Sequence, residues 1–126
     1  MIVLDTHAWV WSVDAPHRLS KVARRAIDRS DRIGVATISV FELAQLVHRR
    51  RLTIDAPLRA WVGEALASGR VEPLLLTPEV ALDAAQLQFE SNPADRIIYA
   101  TARAADAQLV TRDERLRAFD PQLTVW

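Results

Sequence analysis

Four carboxylates have positions that could support metal chemistry: Asp5, Glu42, Asp95 and Asp113. Asp5 ends the apolar run Ile2-Val3-Leu4. Glu42 follows the run Ile33-Gly34-Val35-Ala36 by one short turn, and Asp95 opens the segment Pro93-Ala94-Asp95-Arg96-Ile97-Ile98. Asp113 follows Leu109-Val110-Thr111-Arg112. The whole chain is neutral, with 16 basic and 16 acidic residues, so an acidic cluster would not merely reflect composition. Two unit charges ~5 Å apart at an effective dielectric of ~20 repel by roughly 3 kcal/mol. Four such charges make six pairs, a sum comparable to a domain's whole stability. If the acids converge, some are protonated or divalent cations neutralise them. Hard oxygen donors without His or Cys suit Mg²⁺ or Mn²⁺ rather than Zn²⁺.

Convergence requires a fold that brings these positions to one edge. Short apolar runs are read as strands at Ile2-Val3-Leu4, Ile33-Gly34-Val35-Ala36, Val71-Glu72-Pro73-Leu74, Gln108-Leu109-Val110-Thr111 and Leu123-Thr124-Val125-Trp126. Segments of helical period separate them: Ala23 to Arg29, Val40 to Arg49, Leu58 to Ala67, Val80 to Phe89 and Asp95 to Ala105. Strands alternating with helices predict βαβ units and a parallel sheet covered on both faces. In such a sheet each strand ends, and each crossover helix begins, at the carboxyl edge. All four acids then share the edge where open α/β sheets bind ligands.

Each acid also has a local explanation. Ser39-Val40-Phe41-Glu42 fits a capping box. Asn92 is a candidate cap with Pro93 at the first helical position and Asp95 in the first turn, where the helix dipole favours an anion. Asp113 and Asp5 are each suited to be plain N-caps, Asp5 for a helix starting near Thr6.

The chain's 126 residues suit one domain, 1–126. There is no cysteine, which excludes disulfides, thiolate zinc sites and cysteine nucleophiles and fits a cytoplasmic protein. No apolar run approaches the ~20 residues of a membrane span, and the first five residues do not resemble a signal peptide. Fifteen of the 16 basic residues are Arg, a good phosphate ligand, but a genome bias toward Arg and Ala codons is the favoured cause, so the count is weak evidence for nucleic acid.

The motifs together resemble a known family. Val3-Leu4-Asp5-Thr6-His7-Ala8-Trp9-Val10-Trp11 resembles the opening of PIN-domain proteins of the VapC toxin type. Ser39-x-x-Glu42-Leu43, Asn92-Pro93-Ala94-Asp95-Arg96-Ile97-Ile98-Tyr99-Ala100-Thr101-Ala102 and Leu109-Val110-Thr111-Arg112-Asp113 resemble the later acidic motifs, in family order. The resemblance implies a doubly wound α/β fold, with a central parallel sheet of four to five strands flanked by helices. It implies a metal-dependent endoribonuclease, with Mg²⁺ or Mn²⁺ as one or two ions, acting as the toxin of a toxin–antitoxin pair. A small VapB-like antitoxin as inhibitor and a homodimer are implied on the same ground. Asp5, Glu42, Asp95 and Asp113 match the family's acidic quartet. Thr111 matches the small polar residue beside the fourth acid, and Thr6 and Ser39 match polar positions near the site. Asp5 and Asp95 are expected to hold the main ion, with Glu42 and Asp113 completing its shell or orienting water.

Other residues have more than one reading. His7 is read as a first-helix residue contacting substrate, partner or backbone rather than as a general base. Arg96 is expected to pair with the acids or to hold a phosphate. Arg49-Arg50-Arg51 ends a helix, where cations are favourable anyway. Trp9 and Trp11 are candidates for either core packing or partner contact. A phosphoacceptor signalling domain would need a late Lys, and the sole Lys is Lys21. A PIN nuclease of RNA maturation and a non-catalytic PIN scaffold are the remaining alternatives.

Overall fold

Beta-branched and leucine residues dominate the first, second and fourth strands, and the computed structural model, which describes residues 1–126, shows why. These strands are the centre of a five-stranded, all-parallel sheet ordered β3-β2-β1-β4-β5. The strands are β1 Ile2–Leu4, β2 Ile33–Ala36, β3 Val71–Leu74, β4 Gln108–Val110 and β5 Thr124–Val125. β1 and β2 are buried throughout. A strand covered on both faces needs apolar residues at every position rather than alternation. Val3 points to one layer of core, while Ile2 and Leu4 point to the other.

The helices are α1 Thr6–Asp14, α2 Lys21–Arg29, α3 Thr37–His48, α4 Leu58–Ala67, α5 Pro78–Gln86, α6 Pro93–Ala104 and α7 Glu114–Phe119. α1 to α4 cover one face of the sheet around Trp9, Leu43 and Trp61. Trp9 and Trp61 meet edge to face at 5.1 Å, and the Trp61 indole N–H donates to the Asp14 carboxylate at 3.0 Å. α6 and α7 cover the other face through Ile98, Tyr99, Ala102 and Leu116, and α5 packs outside α6. No helix is long and apolar enough to cross a membrane.

Gly34 of β2 lies at a close approach of side chains from β1 and β3. A Cβ there would lie 2.7 Å from Leu74 Cδ1 and 3.1 Å from Val3 Cγ2. β3 forms one edge of the sheet, where Pro73 costs no ladder bond and Glu72 pairs with Arg32.

Element order follows the sequence reading; many boundaries shift by one to three residues, and three of the shifts have a clear cause. α3 starts at Thr37, directly after β2 and three residues ahead of expectation, with Ala36 at its N-cap and no side chain capping it. The capping box expected from Ser39 and Glu42 therefore does not form. Ser39 lies inside the first turn, fully buried, and Glu42 is in the second turn. α5 stops at Gln86, because Phe89 leaves the helix direction to stack on Phe119 at 4.8 Å and Tyr99 at 5.8 Å. The last strand shortens to Thr124–Val125, and Trp126 packs toward Trp11 instead, 6.0 Å between rings.

Candidate active site

Strand order reverses between β1 and β4, which makes the cleft beyond their carboxyl ends the ligand position of an open α/β sheet. Asp5 leaves β1 there. Its backbone N–H donates to the Val110 carbonyl of β4 at 3.1 Å, and its Oδ1 caps α1 by accepting the Ala8 N–H at 2.8 Å. On the β4 side, Thr111 is fully buried, and its Oγ1 accepts the Asp113 N–H at 3.1 Å. Asp113 then caps α7, its Oδ1 accepting from Arg115 N at 2.8 Å and Leu116 N at 3.4 Å, and the cap leaves Oδ2 unused. Asn92 caps α6 by accepting the Asp95 N–H at 3.0 Å, with Pro93 first in the helix, so Asp95 occupies the first turn as expected. Glu42 reaches the same region from the second turn of α3, which packs against α6.

The four acids act on one another electrostatically. The Asp95 carboxyl is pushed up to about 7, first by burial and then by the negative charges of Glu42, Asp113 and Asp5; Arg115 opposes this. Asp5 is also raised, chiefly by burial and further by Glu42. A hydrogen bond with Thr111, the Ala8 amide and the charge of His7 pull it back. No three Asp, Glu or His side chains stand close enough to chelate one ion directly. The cluster is therefore an anionic bowl wider than a fully chelating cage.

The smaller predicted residues divide into groups. Thr111 joins the site through Asp5 and Asp113. Thr6 and Ser39 are buried beside it, at 1% and 0% exposure, and their hydroxyls have no hydrogen-bond partner. Such orphans are uncommon in folded proteins, because a buried hydroxyl loses its water hydrogen bonds. His7 is exposed on α1, with its ring 5.5 Å from that of Trp11. The ion pair expected of Arg96 does not form: the chain's sole salt bridge is Arg32 with Glu72, and Arg96 Nε is buried without a partner. Trp9 and Trp11 are largely buried, 1% and 8% exposed; Trp9 is a core residue, while Trp11 also lines an open cavity beside α1. The sequence reading misses Arg115, the cation that Asp95 does feel. Its Nη1 donates to the Glu90 carbonyl at 3.0 Å, tying α7 to the loop before α6. The only signal for it is a basic residue two positions after Asp113.

The sequence model of the PIN domain matches residues 2–121. The chain belongs to the PIN-domain family. This PIN domain is 42% identical over 129 aligned residues to Ribonuclease VapC22 of Mycobacterium tuberculosis (strain ATCC 25618 / H37Rv), covering 99% of this chain and 98% of that protein. Among solved structures it superposes on a chain of a toxin–antitoxin complex from Klebsiella pneumoniae with a TM-score of 0.71 at 17% identity, covering 100% and 97% of the two chains. A chain of VapBC2 from Rickettsia felis, bound to a promoter DNA fragment, gives a TM-score of 0.68 at 17% identity, with 98% and 97% covered. VapC20 of Mycobacterium tuberculosis, described as a sarcin–ricin loop cleaving toxin, gives 0.65 at 21% identity, with 94% and 95% covered. At these identities the superpositions establish the fold, and the PIN fold accounts for the doubly wound sheet.

Proposed function

We propose that this PIN domain is a divalent-metal-dependent endoribonuclease and the toxin of a toxin–antitoxin pair. The observation that carries the reading is the gathering of Asp5, Glu42 and Asp113 around Asp95 at the carboxyl edge of the sheet, where burial first and then these three charges raise the Asp95 carboxyl to about 7. A site arranged this way stores electrostatic repulsion that a bound cation relieves. Four hard carboxylate donors fit Mg²⁺ or Mn²⁺. Their spacing fits an ion held through one or two carboxylates and several waters, which is how Mg²⁺ is ordinarily bound. Asp5 and Asp95 are the residues we assign to the ion. When bound, the ion supplies a water of lowered pKa and neutralises charge on the phosphate.

The chain's own groups supply the rest. Glu42 and Asp113 orient the attacking water and accept its proton, while the water oxygen bonds to phosphorus and the bond to the leaving ribose oxygen breaks. The proton then returns to the leaving oxygen through solvent. Caps at Asp5 and Asp113 fix those carboxylates through backbone amides, so little reorganisation accompanies the reaction.

Two similarities support RNA as substrate and an antitoxin as partner: the relative named a ribonuclease, and the solved neighbours that are toxin–antitoxin complexes. An anionic bowl of this kind would accept a basic side chain from an inhibitor. A homodimer in the cytoplasm belongs to the same reading. The test is cleavage of an end-labelled RNA with Mg²⁺, with Mn²⁺ and with EDTA, for wild type and Asp5→Asn. Cleavage that persists in EDTA, or an Asp5→Asn protein as fast as wild type, defeats the reading. Co-expression with the neighbouring small reading frame tests the pairing, and failure to relieve growth arrest counts against it.

A further inference from the structure

A cavity of about 960 Å³ lies beside the acids rather than among them. It is bounded by α1, the 3₁₀ turn at Pro16–Arg18 and the loop after α3. Its walls carry Arg18, Arg50 and Arg51, and none of the three is within salt-bridge distance of a carboxylate. Of its two acids, Asp14 is engaged by the Trp61 indole, which leaves Asp55 as the other.

Two features join this cavity to the acid site. His7 lines it, and the charge of His7 reaches Asp5. Arg51 lines both this cavity and the 410 Å³ cleft that holds Glu42 and the start of α6. The cavity floor includes Trp11, with the guanidinium of Arg18 5.8 Å from its ring centre and that of Arg112, the neighbour of Asp113, at 5.7 Å. Guanidinium groups stacked on an indole have already given up part of their rotamer freedom, and they keep their N–H groups for a phosphate.

A third feature is strain. Arg50 has φ +58°, in the left-handed region, where α3 ends in a Schellman turn: Arg51 N–H donates to the Leu46 carbonyl and Arg50 N–H to the Val47 carbonyl. Glycine is the usual occupant of that position, and a long side chain there is costly. The matching turn after α6 uses Asp106 at φ +50°, a residue type that tolerates the region. At Arg50 the backbone gains nothing from arginine, while its side chain faces the cavity.

We infer that a single-stranded RNA runs from the Glu42 cleft across the acids into this cavity, where Arg18, Arg50, Arg51 and Arg112 hold the phosphates flanking the one that is cut. This rests on the nuclease reading and adds to it a path for the strand. The test is fluorescence anisotropy of a labelled single-stranded RNA with the full chain in EDTA, across a salt series, for wild type, Arg18→Gln/Arg51→Gln and Arg50→Gly. Removing one arginine that neutralises a phosphate lowers the log–log salt slope by about 0.7, so the double variant should fall by about 1.4 in slope and bind roughly tenfold more weakly at about 0.1 M salt. In cleavage it should raise KM and leave kcat unchanged. Arg50→Gly should melt a few degrees higher than wild type yet bind RNA more weakly, a combination that a purely structural arginine would not give. An unchanged salt slope in a folded double variant overturns the path. So does unchanged RNA binding together with failure to bind the co-expressed antitoxin, which would assign the cavity to a protein. Cleavage assays run in parallel separate the two proposals: RNA binding that depends on these arginines, with no cleavage by wild type, supports the path and overturns the nuclease.

Discussion

The Asp5 N–H donates to the Val110 carbonyl, so the first and fourth strands end together at the reversal of strand order. This bond registers Asp5 against Thr111, which in turn receives the Asp113 N–H. Two of the four acids are thus positioned by hydrogen bonds of the sheet and its turns, one to a backbone carbonyl and one to the Thr111 hydroxyl. The other two, Glu42 and Asp95, are brought in by the packing of α3 against α6. The site is as rigid as the sheet on one side and as the helix pair on the other.

The pH dependence of stability follows from Asp95. Its folded carboxyl is raised to about 7, against about 3.9 in an unfolded chain. Between these values the folded state binds the extra proton, so metal-free stability falls as pH rises from about 4 to about 7. Asp5 is raised in the same direction and adds to the fall. Thermal melts in EDTA should therefore give a lower Tm at about pH 8 than at about pH 6. Added Mg²⁺ should raise Tm more at about pH 8, where the site is fully ionised. Asp95→Asn should flatten the EDTA profile and raise Tm at the higher pH while abolishing cleavage. Equal Mg²⁺ shifts at both pH values would refute this account.

Asp113 has two roles that substitution can separate. As a cap it holds the Arg115 and Leu116 amides, and as an anion it acts on Asp95. Asn caps nearly as well as Asp, whereas Ala costs about 1 kcal/mol. Asp113→Asn should keep wild-type stability in denaturant titration and still cut RNA roughly a hundredfold more slowly, about 2.7 kcal/mol of transition-state stabilisation. Asp113→Ala should show both defects. If Asp113→Asn is fully active, the residue is a cap and nothing more.

Tyr99 provides a stability control away from the acids. Its hydroxyl donates to Asp120 Oδ2 at 2.8 Å, and this bond is the main reason the Asp120 carboxyl lies below its usual range. A depressed carboxyl stabilises the fold above about 3.9, and that contribution is lost as pH falls through the folded value. Tyr99→Phe should cost roughly 1.5 kcal/mol in urea unfolding near neutral pH. The gap from wild type should narrow below about pH 4. A gap that is constant across this range would mean the cost comes from packing against Phe89 and Phe119, not from the hydrogen bond.

The architecture is legible in the sequence because β1 and β2 are apolar at every position and several helices begin at recognisable caps or prolines. Asp5, Asp113 and Asn92 are caps where local chemistry says they should be. Ser39 misleads because the capping-box pattern is local, whereas the start of α3 is set by β2 running into it without a loop. Arg96 and Arg115 are not separable in the sequence. Each stands within two residues of an acid, and only three-dimensional packing decides which guanidinium the acids feel. The cavity around Arg18, Arg50 and Arg51 is equally invisible, since it joins residues from three separate elements.

The orphaned hydroxyls of Thr6 and Ser39 test whether the site is wetter than its fold requires. Both are fully buried next to acids, and neither donates to anything in the protein. A buried hydroxyl without a partner destabilises by about 1–3 kcal/mol, so its removal should stabilise the metal-free protein. Ser39→Ala removes the oxygen and leaves a small apolar residue in a helix, where Ala is the best former. Thr6→Val keeps the shape and removes the donor. Each variant should gain about 1 kcal/mol in EDTA by denaturant titration. If the hydroxyls bind water of the ion's shell, each should also weaken Mg²⁺ binding, read as a smaller Mg²⁺-induced rise in Tm. A variant that gains stability with an unchanged Mg²⁺ response would show a packing defect rather than a solvated site. A variant that loses stability would show that the hydroxyl already has a partner, most simply an ordered water shared with Asp5 or Glu42.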